Sequence, residues 1–329
     1  MTAAMAAAVS RRFFDFCIRT TSMLFGRAKP SFFLLTIIVP RYRRCQDHGG
    51  ITMFDVHSHC HQPSHRGGGA ASYQQRAYGA RDWSFTPADY TRAMKEGGVT
   101  RAAIFGVTAH AQGIVTPNEF VERFSAEVGI DTVAFMSLDL SDPRYPEVLA
   151  DGIARGFRGV KLYPTAGLFD PSSEEFDSFY REATARGLVL LWHQGATPIP
   201  EARLSLSMPF LIDEVARRHP DLTQVIAHMA HPWQREAIIV IRKNVRVFAD
   251  VSANWARPQD GFHALVRAQE WGVVGKLLFG SDYPHWTPRE AAEGLRALGE
   301  MRPKGMPHIE RATIEHLLES DHLATLGLS

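Results

Sequence analysis

The stretch MFDVHSHCHQP, residues 53–63, sets Asp55, His57 and His59 at alternate positions directly behind an apolar start. Side chains along a β-strand alternate between faces, so residues i, i+2 and i+4 project the same way. Read as a strand over 53–57, the segment predicts three polar groups sharing one face at its end. Burying such a group costs free energy unless its members are paired or hold something.

Downstream, short β-rich runs recur at 101–107, 132–138, 159–163, 188–193, 224–228, 245–251 and 276–280, which makes eight strands with the first. Helix starts stand between them. TPAD at Thr86, TPNE at Thr116 and TPRE at Thr287 each place a Thr N-cap before Pro and an acid. The Thr oxygen accepts from an orphan amide, Pro has no amide to leave unsatisfied, and the acid suits the positive helix end. Gly97-Gly98, Gly129, Gly156 and Gly187 read as stops. Further helices are expected at about 208–218, 233–243, 261–271 and from Pro288. The Gly-, Ser- and Arg-containing insertion between Cys60 and Phe85 reads as an active-site loop.

Strands alternating with helices predict a parallel sheet, either a closed (β/α)8 TIM barrel or an open doubly wound sheet. Periodicity does not separate the two; the placement of polar residues does. The first strand ends in His57 and His59, the fifth in His193, the sixth in His228 and the eighth in Asp282. A lone His or Asp at a strand end is commonly a cap or a satisfied core group. Five such positions on four strands favour a barrel whose rim gathers metal-binding groups.

The remainder of the chain is consistent with an enzyme acting on small molecules. A net charge of +1 over 329 residues gives no sign of nucleic acid or acidic lipid as partner. Cys17, Cys45 and Cys60 are odd in number and lack a CxxC pair, so they read as reduced thiols of a cytoplasmic protein. Cys60 could be a soft metal ligand, but a spectator thiol is the plainer reading. Residues 1–50 hold eight basic and two acidic side chains, leaving a net −5 for the rest. This leader is read as a disordered or non-native extension before a 53–329 domain; organellar import is the alternative. Its apolar run at 32–39 is too short to cross a bilayer.

DVHSHCH, GVKLYP, LWHQG, IAHMAHPW, VFADVS and LLFGSDYP, in that order, resemble the amidohydrolase superfamily. The similarity is to the amidohydrolase-related branch that includes aminocarboxymuconate-semialdehyde decarboxylase, and it runs from Met53 to near the C-terminus. The chain reads ESDHLATLGL where that branch often has an Asn-Ala pair, a difference that bears on packing.

The resemblance implies that His57, His59, His193 and Asp282 hold one divalent metal, Zn2+ or alternatively Mn2+. His228 and Asp282 would be catalytic. Asp282 would take a proton from metal-activated water, and His228 would polarise the substrate carbonyl or hold the attacking oxygen. Asp55 either orients a histidine or bonds backbone. Lys161 is read as a charge near the site, with carboxylation and a second metal as the alternative.

Among the aromatics and arginines of the strand-end loops, Trp255, Arg257 and Tyr283 are candidates, with Lys161, to bind a small substrate, with a carboxylate as one class that would suit them. Three functions follow: hydrolysis of an amide, lactone or ester; non-oxidative decarboxylation of an unsaturated or aromatic acid; or a barrel that only binds. A homodimer is an expectation without a sequence signature.

Overall fold

The computed structural model describes residues 53–79 and 83–329. The leader, and the readings made of it, lie outside the described residues. Eight strands form one sheet in sequence order. They are β1 (Met53–His59), β2 (Val99–Phe105), β3 (Asp131–Leu138), β4 (Gly159–Leu162), β5 (Val189–Trp192), β6 (Gln224–Ile226), β7 (Val247–Asp250) and β8 (Leu277–Leu278). Neighbouring strands are parallel. Backbone bonds from Val56 N to Phe279 O (3.0 Å), Asp282 N to His57 O (2.8 Å) and His59 N to Tyr283 O (2.8 Å) join the first strand to the eighth. The sheet therefore closes into a (β/α)8 barrel, and the open doubly wound alternative falls away.

Two apolar layers hold it together. Phe54, Val56, Phe105, Phe135, Leu191 and Phe248 fill the inside of the barrel, and Leu323, Leu326 and Leu328 seal its lower end. A larger cluster fills the space between strands and helices. Each fully buried side chain of this size contributes about 1.5–3 kcal/mol. Gly159 faces Phe135 in register, and a Cβ there would sit 2.7 Å from the Phe135 ring, so that ring takes the space a side chain at 159 would need.

The helix signals hold at two of the three Thr-Pro starts. Thr86 Oγ1 accepts from Asp89 N (3.2 Å), and Thr287 Oγ1 accepts from Glu290 N (3.2 Å), with both acids returning the bond. Thr116 is different. The helix Asn118–Glu127 begins without a side-chain cap, because Thr116 Oγ1 is used by Val107 N (3.3 Å) to fasten the preceding loop. Gly156 and Gly187 end helices in the left-handed region, φ 85° and 63°, as their positions predict.

The insertion after β1 is not plain loop. It contains the helix Gly68–Tyr78, and Gly67 N donates to Gly113 O (2.7 Å) in a small hairpin after β2. No helix among the described residues is long and apolar enough to cross a membrane.

Candidate metal centre and cavity

Strict alternation along β1 would put Asp55 beside the two histidines, but the structure does not. The register with β2 shifts between Asp55 and Ser58, which marks a bulge. Phe54 and Val56 lie in the barrel interior before it, and His57 and His59 face the interior ring of Phe105 after it. Asp55 points the other way. Its carboxylate accepts from His57 N (2.9 Å), Ser281 N (3.0 Å) and Ser281 Oγ (2.5 Å), tying β1 to the segment after β8. Of the two roles open to it, backbone bonding is the one observed.

At the carboxyl rim, His57 Nε2, His59 Nε2 and Asp282 Oδ1 form a small triangle with sides of 3.3, 3.2 and 3.4 Å. Donors placed tetrahedrally around an ion at zinc-like bond lengths stand about 3.3–3.6 Å apart, so the triangle has the size that a metal requires. These three residues also emerge as a group able to hold a metal among the described residues. His193 is half-buried nearby on the loop after β5. Its Nε2 has no hydrogen-bond partner, and its ring centroid is 5.1 Å from that of His228.

Burial lowers the pKa of His57, His59, His193 and His228, and the cation of Lys161 adds to the effect at the first three. The rings are therefore neutral, with lone pairs free for ligation. Lys161 sits fully buried at the interior end of β4, its Nζ 3.5 Å from His57 Nε2 and 5.0 Å from the centre of the Phe105 ring. Burial pulls its pKa down to about 8, against the opposing pull of Asp250 and Asp282.

Asp250, at the end of β7, was not singled out by its sequence, although it ends a strand as the other site residues do. Its Oδ2 accepts from His57 Nδ1 (2.9 Å), which leaves Nε2 of that ring facing His59 and Asp282. Its Oδ1 takes His228 N and Ser252 N, both at 3.0 Å, and the Ser252 hydroxyl. His228 and Asp282 both occupy the left-handed backbone region, φ 57° and 63°. Non-glycine residues held there concentrate at functional sites.

A cavity of about 110 Å³ opens above these groups. His59, Lys161, His193, His228 and Asp282 line its floor, and Arg257 lies at its wall. Arg66 and Tyr78 of the insertion line it as well, as do His231, His285 and Trp286.

Two substrate candidates lie elsewhere. Trp255 packs edge-on against Trp286 (5.6 Å) over Gly294, and Tyr283 packs on Phe85 (5.1 Å) and Tyr90 (5.3 Å). Neither lines the cavity. Cys60 is buried among apolar residues, where burial pushes its thiol pKa up, the environment of a spectator.

An α/β barrel gathering histidines and an aspartate at its carboxyl rim is a TIM barrel of the metal-dependent hydrolase type. The chain belongs to the amidohydrolase family, whose model matches residues 54–315. No curated protein matches it by sequence.

Similar solved structures include a probable 2-pyrone-4,6-dicarboxylic acid hydrolase of Acinetobacter baumannii with citric acid bound. It is 15% identical with a TM-score of 0.60, over 84% of this chain and 99% of that one. An amidohydrolase of Burkholderia multivorans with bound zinc is 16% identical with a TM-score of 0.61, over 84% and 100%. A 5-carboxyvanillate decarboxylase of Novosphingobium aromaticivorans, complexed with manganese and 4-hydroxy-3-methoxy-5-nitrobenzoic acid, is 12% identical with a TM-score of 0.58, over 85% and 97%. Enzymes named as hydrolases and as decarboxylases thus share this scaffold.

Proposed function

We propose that this enzyme holds one divalent metal, Zn2+ or Mn2+, on His57, His59, His193 and Asp282 and hydrolyses a small amide, lactone or ester. The observation that carries the reading is the 3.2–3.4 Å triangle of neutral imidazole and carboxylate donors at the cavity floor. The unpartnered Nε2 of His193 fits a fourth donor. When bound, the metal supplies Lewis acidity and makes water nucleophilic at neutral pH.

The protein's own groups do the rest. Asp282 accepts the proton of the attacking water and returns it to the leaving group. His228, held at the cavity by Asp250 and Asn254, faces the reacting carbonyl or the attacking oxygen. Lys161 and Arg257 supply positive charge, which favours a substrate carrying a carboxylate.

Decarboxylation is the second reading, favoured by that cationic lining: Arg66, Lys161 and Arg257 surround a floor with one lining carboxylate, Asp282. The two reactions are separated by incubating the zinc- or manganese-loaded enzyme with small lactones and aromatic acids in ¹⁸O-water. Hydrolysis incorporates ¹⁸O and releases no carbon dioxide. Carbon dioxide release without ¹⁸O in the product overturns the hydrolase reading.

A further inference from the structure

The loop after β7 carries a residue whose role the metal ligands do not explain. The Ser252 hydroxyl lies between His228 Nδ1, at 2.7 Å, and Asp250 Oδ1, with which it is also hydrogen-bonded. A carboxylate has no proton to offer, so in the second bond Ser252 is the donor. A hydroxyl has one proton, and once it points to Asp250 the oxygen can only accept from His228. The proton of that bond therefore resides on Nδ1 of His228. A neutral imidazole carries one N–H, so Nε2 is left with its lone pair.

Neighbouring contacts agree. His57 Nδ1 lies 3.4 Å from the same hydroxyl but 2.9 Å from Asp250 Oδ2, so its own proton goes to the carboxylate. The His228 backbone is pinned on both sides, its N–H on Asp250 and its carbonyl accepting from Asn254 Nδ2 (2.8 Å). The ring lines the cavity, and its Nε2 bonds to no described residue.

We propose that Ser252 is a positioning residue that locks His228 as the Nδ1–H tautomer and turns an unprotonated Nε2 toward the cavity. In that state His228 accepts a hydrogen bond from the attacking oxygen, whose proton goes to Asp282, and does not donate one to the substrate carbonyl. This chooses between the two roles left open above. The catalytic consequence rests on the proposed function; the tautomer does not.

The test is a long-range ¹H–¹⁵N correlation spectrum of the full chain labelled with ¹⁵N-histidine, recorded metal-free and zinc-loaded. His228 is assigned by the signals missing from His228→Gln. The expected pattern is a protonated-type Nδ1 and an unprotonated-type Nε2, lost in Ser252→Ala and kept in Ser252→Thr. His57 should retain its Nδ1–H pattern in Ser252→Ala, because Asp250 still accepts it; a general collapse of the site would alter both rings. Should Ser252→Ala not fold, Ser252→Cys puts a weak acceptor in the same place. An Nε2–H pattern in the parent protein, or an unchanged His228 in the variant, overturns the proposal. Loss of the pattern with unchanged kcat would uphold the Ser252 assignment and count instead against the part given to His228 in the reaction.

Discussion

Replacing Asp250 by Asn gives a sharp test of how the site is organised. The carboxylate accepts from His57 Nδ1 on one oxygen and from His228 N, Ser252 N and the Ser252 hydroxyl on the other. Asn keeps an acceptor of the same shape for the second oxygen's three donors. On the first it presents an N–H to His57. That contact is tolerable only if His57 Nδ1 becomes the acceptor, which moves the ring proton to Nε2 and into the triangle with His59 and Asp282. A protonated Nε2 cannot ligate.

Loss of such an outer partner typically costs 10–100-fold in metal affinity, or about 1.4–2.8 kcal/mol. Zinc titration against a competing chelator should show that weakening in Asp250→Asn. Urea unfolding of the metal-free protein should change much less than for Asp250→Ala, which strands every one of those donors at about 1–3 kcal/mol each. Zinc bound by Asp250→Asn with parental affinity would refute the argument that Asp250 sets the His57 tautomer.

Three further outcomes can be measured, two at the site and one at the far end of the barrel. His193→Ala should abolish zinc-dependent turnover while leaving the circular dichroism spectrum intact; parental activity would remove His193 from the proposed ligand set. Arg257→Leu should raise KM for a carboxylate-bearing substrate by roughly ten- to a hundredfold, the worth of about 1.5–3 kcal/mol for a charged hydrogen bond, and leave KM for the matching neutral ester unchanged; equal effects on both would show that Arg257 does not read charge.

His322 is buried, with Nε2 bonded to Leu317 O (3.0 Å) and Nδ1 unpartnered, and burial lowers its pKa from 6.5 to about 4. The unfolded chain therefore binds the proton more readily between those values, so stability falls as pH drops from 6.5 toward 4, by up to about 3 kcal/mol at this site. Urea unfolding at pH 5 and pH 7.5 should show a smaller pH difference for His322→Leu than for the parent; an equal difference would exclude His322 as a source.

The sequence carries the barrel because each strand and each Thr-Pro start is a local signal, and because polar residues at four strand ends make sense on a closed rim. It misleads where a local rule competes with a distant partner. Alternation puts Asp55 with His57 and His59, and a bulge of one residue undoes it. Thr116 reads as a cap until Val107 claims its hydroxyl. Trp255 and Tyr283 sit in the right loops, yet their rings turn into packing, since an aromatic near a barrel mouth gains as much by burial among Phe85, Tyr90 and Trp286 as by facing the cavity. Asp250 and Ser252 act through other side chains, so nothing about their own spacing announces them. Arg66 and Tyr78 reach the cavity only because the insertion folds back as a helix beside the hairpin.

The leucines that seal the lower end of the barrel come from the last seven positions, well past the matched span that stops at 315. They act as a cork. Cutting the chain after Ser320 would leave Phe54 and Phe248 at an open hole and remove three large apolar side chains, an insult of about 5–9 kcal/mol. That is on the scale of the whole stability of a domain. Engineering of this enzyme should therefore leave that end untouched.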